Sequence, residues 1–230
     1  MADLVDLDQP IALRPEYSAQ KRTALHVKQF DNRGIKNPGD DLSVWKWPVD
    51  KHEKYHPDER KLFSAKDASG FFSQRRCLRT ASGTPLYNLA LTKLGVTWFV
   101  HPADSDAPWG SEAGNIATIA PRWNPLKNKF DVYVKNVAAD GKEVLLKIRG
   151  QGWTRSRVHG YVDGALVMDA ERIDDRHSVV ELEWKVEVTG GLDLSLVSAI
   201  MIVLCYMSAL GMTGASTYHG AEGFKQLGNI

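Results

Sequence analysis

The chain has 230 residues, with 29 Lys and Arg against 28 Asp and Glu, a formal net charge of +1 and 43% hydrophobic residues. This is an ordinary globular composition, long enough for one large domain or two small ones. Near-neutral charge excludes a general polyanion binder, which needs a large excess of Lys and Arg to release counterions, so no nucleic-acid partner is expected and attraction to an anion has to come from local clustering.

Residues 1–20 carry Asp3, Asp6 and Asp8 with Pro10 and Pro15 and show no periodicity. They read as an N-terminal arm whose order depends on docking. The arm lacks the positive and apolar regions of a signal peptide. With only Cys77 and Cys205 and no Asn-x-Ser/Thr sequon, the expectation is an intracellular, cytoplasmic protein.

From Thr23 onward the pattern is one of short alternating runs, the period-two signature of half-buried strands. Leu25 and Val27, Leu86 to Leu91, Val96 to Val100, Phe130 to Val134, Val144 to Ile148, Ala165 to Ala170 and Trp184 to Val188 are the candidates. Ala81-Ser82-Gly83, Ala139-Asp140-Gly141 and Val162-Asp163-Gly164 supply hairpin turns, because Gly accepts positive φ and Asp or Ser bonds its own backbone. His101 to Pro125, rich in Pro, Gly, Asp and Ser, reads as the longest loop.

Leu192 to Met212 breaks the pattern, with Asp193 its one charged residue. Asp193 stands where a helix N-cap belongs and Gly211 and Gly214 where a stop belongs, so a helix over about 192–210 is expected, followed by a flexible tail over 213–230. Such a helix of about 27 Å falls slightly short of a bilayer core of about 30 Å. No Lys or Arg cluster flanks it to set a membrane topology. A closed sheet needs a filling, and a helix apolar on all faces supplies one. The fold class expected is mainly β, a closed antiparallel barrel over 21–212 around a buried C-terminal helix, with insertion of that helix in a membrane as the alternative.

This order of features resembles the LURP-one-related proteins of the tubby C-terminal-like group. The residues that carry the resemblance are Trp184-Lys185-Val186-Glu187-Val188, then Gly190-Gly191-Leu192-Asp193 and the apolar helix, with Arg76 to Leu86 as a strand-turn-strand hairpin, Gly150 to Trp153 and Gly164 to Glu171. Thr80 stands where the family usually has Asp. The resemblance implies a twelve-stranded barrel around a hydrophobic helix, phospholipid scramblases as relatives, and phosphoinositide binding in tubby-type members. It implies a non-enzymatic lipid-headgroup or protein-binding protein of stress or defence, without a cofactor, peripheral at the plasma membrane; a scramblase-like inserted protein is the alternative.

Arg155 and Arg157, two apart, share one face of a strand, and a pair of guanidinium forks can grip phosphate oxygens bidentately. Arg149 can join them, as can Arg75, Arg76, Arg79, Lys127, Lys129 and Lys135 if the fold brings them together. The competing expectation is cross-strand pairing of these bases with acids on the outer face. His52-Glu53-Lys54-Tyr55-His56 satisfies the H-E-x-x-H zinc hydrolase pattern, but Pro48 and Pro57 leave barely two helical turns and the surroundings are polar, so a charged loop is expected there and no metal. Asp174, Asp175, Glu181 and Glu183 lack the spacing of a calcium loop. Cys77 and Cys205 read as structural thiols, and Trp45 and Trp47 as a pair on one outer face.

Overall fold

The computed structural model of the chain describes residues 3–30, 41–47, 60–67, 75–92, 96–108, 110–122, 129–151, 156–173 and 181–216. Among these, the strands are β1 (Thr23–Phe30), β2 (Leu42–Lys46), β3 (Lys61–Asp67), β4 (Arg75–Thr80), β5 (Pro85–Leu91), β6 (Trp98–Pro102), β7 (Ala117–Pro121), β8 (Lys129–Asn136), β9 (Lys142–Gln151), β10 (Arg157–Val162), β11 (Ala165–Arg172) and β12 (Glu181–Val188). Each pairs antiparallel with its sequence neighbours, and β1 pairs with β12 from Thr23↔Val188 to Phe30↔Glu181, which closes the barrel. Helix α1 (Leu194–Ser216) follows β12. The expected mainly-β closed barrel with one C-terminal helix is the architecture found.

Alternation decides which side each residue takes. Phe130, Val132 and Val134 are buried toward the interior, at no more than 3% exposure, while Lys129, Tyr133 and Lys135 face outward with Asp131 in the same phase. Leu146 and Ile148 on β9, Val158 and Gly160 on β10, and Trp184, Val186 and Val188 on β12 continue the inner layer. At the β10–β11 hairpin Asp163 and Gly164 both adopt positive φ, 49° and 86°, the conformation that two-residue hairpin turns require.

The segment expected to be one long loop, 101–125, contains a strand. Ala117 and Ile119 of β7 point inward against Val134 and Val132 of β8. Its signal is weak because Ala117 and Ala120 are small and only Ile119 carries a large side chain. Pairing with β6 and β8 supplies the stability that local propensity lacks.

A twelve-stranded barrel is too wide for its own side chains to fill, and α1 occupies the axis. From Leu196 to Cys205 no helix residue is more than 4% exposed. The helix continues past position 210, through Gly211 and Gly214, to Ser216, so neither glycine stops it. Its side chains are described as far as Ser208, and among the described residues no helix is long and apolar enough to cross a membrane.

Asp193 begins the helix and is fully buried. Its Oδ1 accepts from Ser195 N at 2.7 Å, Ser195 Oγ at 2.6 Å and Leu196 N at 3.3 Å, as an N-cap should. Its Oδ2 accepts from Leu13 N at 3.0 Å and Arg14 N at 2.9 Å. Ile11 bridges Leu192 and Ser18 bridges Asp193, while the Asn136 side chain takes Ala12 N and gives to Pro10 O, each at 2.9 Å. The arm thus covers the end of the barrel where α1 starts. Tyr87, fully buried on β5, meets Ser195 Oγ at 2.9 Å. Since the Ser195 hydroxyl donates to Asp193, Tyr87 is the donor to Ser195 in this chain of bonds. Burial, with Asp193 nearby, pushes the Tyr87 hydroxyl well above its ordinary pKa.

Candidate anion-binding site

The outer face carries the charge. On β8 and β9 the outward pairs are Lys129↔Arg149, Asp131↔Lys147, Tyr133↔Leu145 and Lys135↔Glu143. Arg122, just past β7, reaches across to this face, because its backbone N donates to Lys129 O at 2.7 Å and fixes where the side chain starts.

Asp131 is the centre. Arg122 Nε donates to its Oδ2 at 2.7 Å and Arg149 Nη2 to its Oδ1 at 2.7 Å. Arg122 Nη2 also donates to Tyr133 Oη at 2.8 Å, and Arg149 Nη1 to the carbonyls of Phe130 at 2.7 Å and Ile148 at 2.8 Å. The Asp131 side chain is only 12% exposed whereas Arg122 is 52% exposed. Burial by itself would raise the Asp131 carboxyl, but hydrogen bonds and charge from Arg149 and Arg122 outweigh it and hold the pKa below the usual carboxylate range. Four basic side chains, Arg122, Lys129, Lys147 and Arg149, therefore surround one carboxylate on a continuous strip of sheet.

The residues expected to grip phosphate are distributed as follows. Arg149 belongs to this cluster. Arg157 lies on the next strand, where Nε and Nη2 grip Asp169 Oδ1 and Oδ2 at 3.0 and 2.6 Å, the cross-strand ion pair that competes with a ligand for the fork. Arg155 and Lys127 lie outside the described residues. Lys135 sits toward the other end of β8 and donates to Asn115 O at 2.6 Å and Asn115 Oδ1 at 3.1 Å. Arg75, Arg76 and Arg79 are on β4, with four strands between it and β9, and Arg76 lies over the Tyr206 ring at 6.0 Å; the fold does not bring them to Arg149. The two residues missed in the sequence are Arg122 and Lys147. Lys147 is visible as an outward position of the Val144 to Ile148 run, but Arg122 stands in a stretch read as loop.

Beside the basic strip on β10, His159 is directly opposite Arg149 on β9 and Asp169 on β11. Its Nδ1 is 3.0 Å from Tyr161 Oη, and its Nε2 is 3.3 Å from Asp169 Oδ1, without hydrogen-bond geometry. Burial lowers the imidazole pKa below its ordinary value, against the pull of Asp169 and with the push of Arg157.

Other candidates separate clearly. His52, Glu53 and His56, and Asp174 and Asp175, lie outside the described residues. Among the described residues no three His, Cys, Asp or Glu side chains converge as a metal site. Glu183 is held by Lys28 Nζ at 2.8 Å and His26 Nε2 at 3.2 Å. Trp45 and Trp47 share an outer face and both pack on His26, at centroid distances of 5.5 and 5.0 Å. Cys77 and Cys205 are buried thiols outside any disulfide.

A closed antiparallel barrel of twelve strands wound around its own C-terminal helix, with rows of charged side chains on its outer face, is the class of protein these residues define. Within that class the chain belongs to the LURP-one-related family, whose model matches residues 42–205. The fold is shared with a protein of Arabidopsis thaliana solved by X-ray crystallography, at 15% identity and a TM-score of 0.56, over 86% of this chain and 99% of that one. No curated protein matches.

Proposed function

We propose that this LURP-one-related protein is a non-enzymatic binding protein that engages anionic phosphate-bearing headgroups of a membrane surface through the outer face of β7 to β9. The observation that supports the reading is the cluster of Arg122, Lys129, Lys147 and Arg149 around Asp131. Asp131, Tyr133 Oη and the two carbonyls engage two of the five N–H donors of Arg122 and three of those of Arg149. Asp131 fixes both forks in place, which lowers the ordering cost of binding, and the remaining N–H groups are the donors offered to an anion. Tyr133 and Leu145, opposite one another beside the strip, add the amphipathic contact that suits a headgroup region. Arg157, held by Asp169, flanks the strip without belonging to its centre, and cytoplasmic localisation, peripheral at the membrane, is part of the same proposal.

The test is co-sedimentation with vesicles of phosphatidylcholine alone, or containing phosphatidylinositol 4,5-bisphosphate. The expected result is retention on the anionic vesicles only, reduced about tenfold or more in a Lys129→Gln/Lys147→Gln variant, since two lost phosphate contacts of about 1 kcal/mol each amount to such a factor. Both substitutions are outward on the sheet and remove no buried partner. Equal retention of the variant and the wild-type protein would overturn the site.

A further inference from the structure

We infer that anion binding on this face is coupled to proton uptake by His159, so that the surface holds a phosphate or sulfate-type anion more tightly as the pH falls. The inference rests on the proposed basic strip and concerns its regulation. It stands on the placement of the imidazole: β10 sets His159 directly against Arg149, one of the two guanidinium groups anchored on Asp131.

The charged and titratable neighbours of His159 come from three strands. They are Lys147 and Arg149 on β9, Arg157 and Tyr161 on β10, and Asp169 and Glu171 on β11, with Glu187 one strand further along the row from Asp169. Among the described residues Asp169 is the one acid in reach of the ring, and it is already gripped at both oxygens by Arg157. Without a ligand the ring therefore sees cations on two strands, a neutralised carboxylate on the third, and only part of its surface in water, with 17% side-chain exposure. Burial and the cations favour the neutral imidazole and outweigh the weakened pull of Asp169, in agreement with the lowered pKa. An anion seated on Arg149 brings negative charge next to the ring and reverses this balance. Whatever free energy the anion supplies to the imidazolium, the imidazolium returns to the anion, because linkage is reciprocal. A rise of about one unit in the imidazole pKa on binding corresponds to about tenfold tighter binding once the pH has fallen through both values.

The test uses the full chain and two probes whose own charge stays constant across about pH 5.5 to 8, the interval in which imidazole titrates: inorganic sulfate, and vesicles containing phosphatidylglycerol. The expected result is binding about tenfold tighter at the acidic end of the interval, with the ratio falling toward one in His159→Gln. Sulfate is also expected to move the His159 imidazole titration upward in an NMR experiment on the wild-type protein, a readout that does not depend on the variant folding. A gain with sulfate alone would support coupling to a free anion, and a gain with vesicles too would support coupling at a lipid surface. Affinity that is flat with pH, or a pH gain that survives His159→Gln, would overturn the coupling and leave the basic strip standing. No binding of either probe at any pH would overturn the strip and the coupling together.

Discussion

At the scale of single residues, Asp193 holds three parts of the molecule at once: the start of α1, the N-terminal arm and, through Ser195, Tyr87 of the barrel wall. Asp193→Ala removes a cap worth about 1 kcal/mol and leaves several buried N–H groups unbonded at about 1–3 kcal/mol each. The expected loss is about 3 kcal/mol or more, seen as a fall of about 10 °C in the melting temperature. Asp193→Asn can keep the cap oxygen but turns an NH₂ group toward the Leu13 and Arg14 N–H donors. It should release the arm to limited proteolysis while lowering the melting temperature less than the Ala variant does. The outer-face groups make a separate prediction. Asp131, Glu183 and Glu187 are held below the usual carboxylate range: in each, burial raises the pKa but the basic partners outweigh it. Their stabilisation is present above their unfolded values of about 4 and is lost as the pH falls through the folded values. His26 and His159, lowered chiefly by burial, act in the same direction but begin at about pH 6.5. Asp193, raised chiefly by burial, has the opposite sign, its ionised form costing stability above its folded value. Five groups against one predict that urea midpoints fall as the pH is lowered from 7 to about 3, with a shallower slope below about pH 4.5 in Glu187→Gln, which loses its pairing with Arg22 and Lys185.

At the scale of elements, α1 and the sheet depend on each other. A helix with no polar face cannot stand in water, and a barrel of this width cannot stand empty. Within the wall itself Gly160 is closely packed by its neighbouring strands: a Cβ there would meet Met168 Cβ at 3.0 Å and Ile148 Cδ1 at 3.2 Å. Gly160→Val overpacks this wall, and the expected cost of about 1–3 kcal/mol in a denaturant titration is larger than that of Gly160→Ala. Strands with large alternating side chains, such as Phe130 to Val134 and Trp184 to Val188, were legible because the period-two pattern is the physical cause of their burial. β7 was not, because Ala117 and Ala120 carry almost no pattern and it is pairing with β6 and β8 on either side that stabilises it. The end of α1 differs from the sequence expectation because one glycine weakens a helix by only about 1 kcal/mol, too little by itself to end it at Gly211.

At the scale of the whole molecule, a net charge of +1 hides an outer face organised in rows. One row runs Lys129, Arg149, His159, Asp169 and Glu187 across five strands, basic at one end and acidic at the other. Binding to an anionic surface through the basic end is therefore a short-range, oriented effect. Raising the salt from about 0.1 M to 1 M shortens the Debye length from about 10 to 3 Å, and retention on anionic vesicles should be largely lost over that range.

The sequence by itself determined the class of the fold, the helix as the barrel's filling and Asp193 as its cap, because alternation, apolar length and capping chemistry are local properties. It also placed Arg157 on one face of a strand and named Arg149 as a base that could join it. Only the tertiary structure decided which bases stand together. Strand order put Arg122, Lys129, Lys147 and Arg149 around Asp131, left Arg76 on the far wall against Tyr206, and committed Arg157 to Asp169. Whether an arginine meets a carboxylate or faces solvent is a matter of register between strands distant in sequence, which no spacing along one strand records.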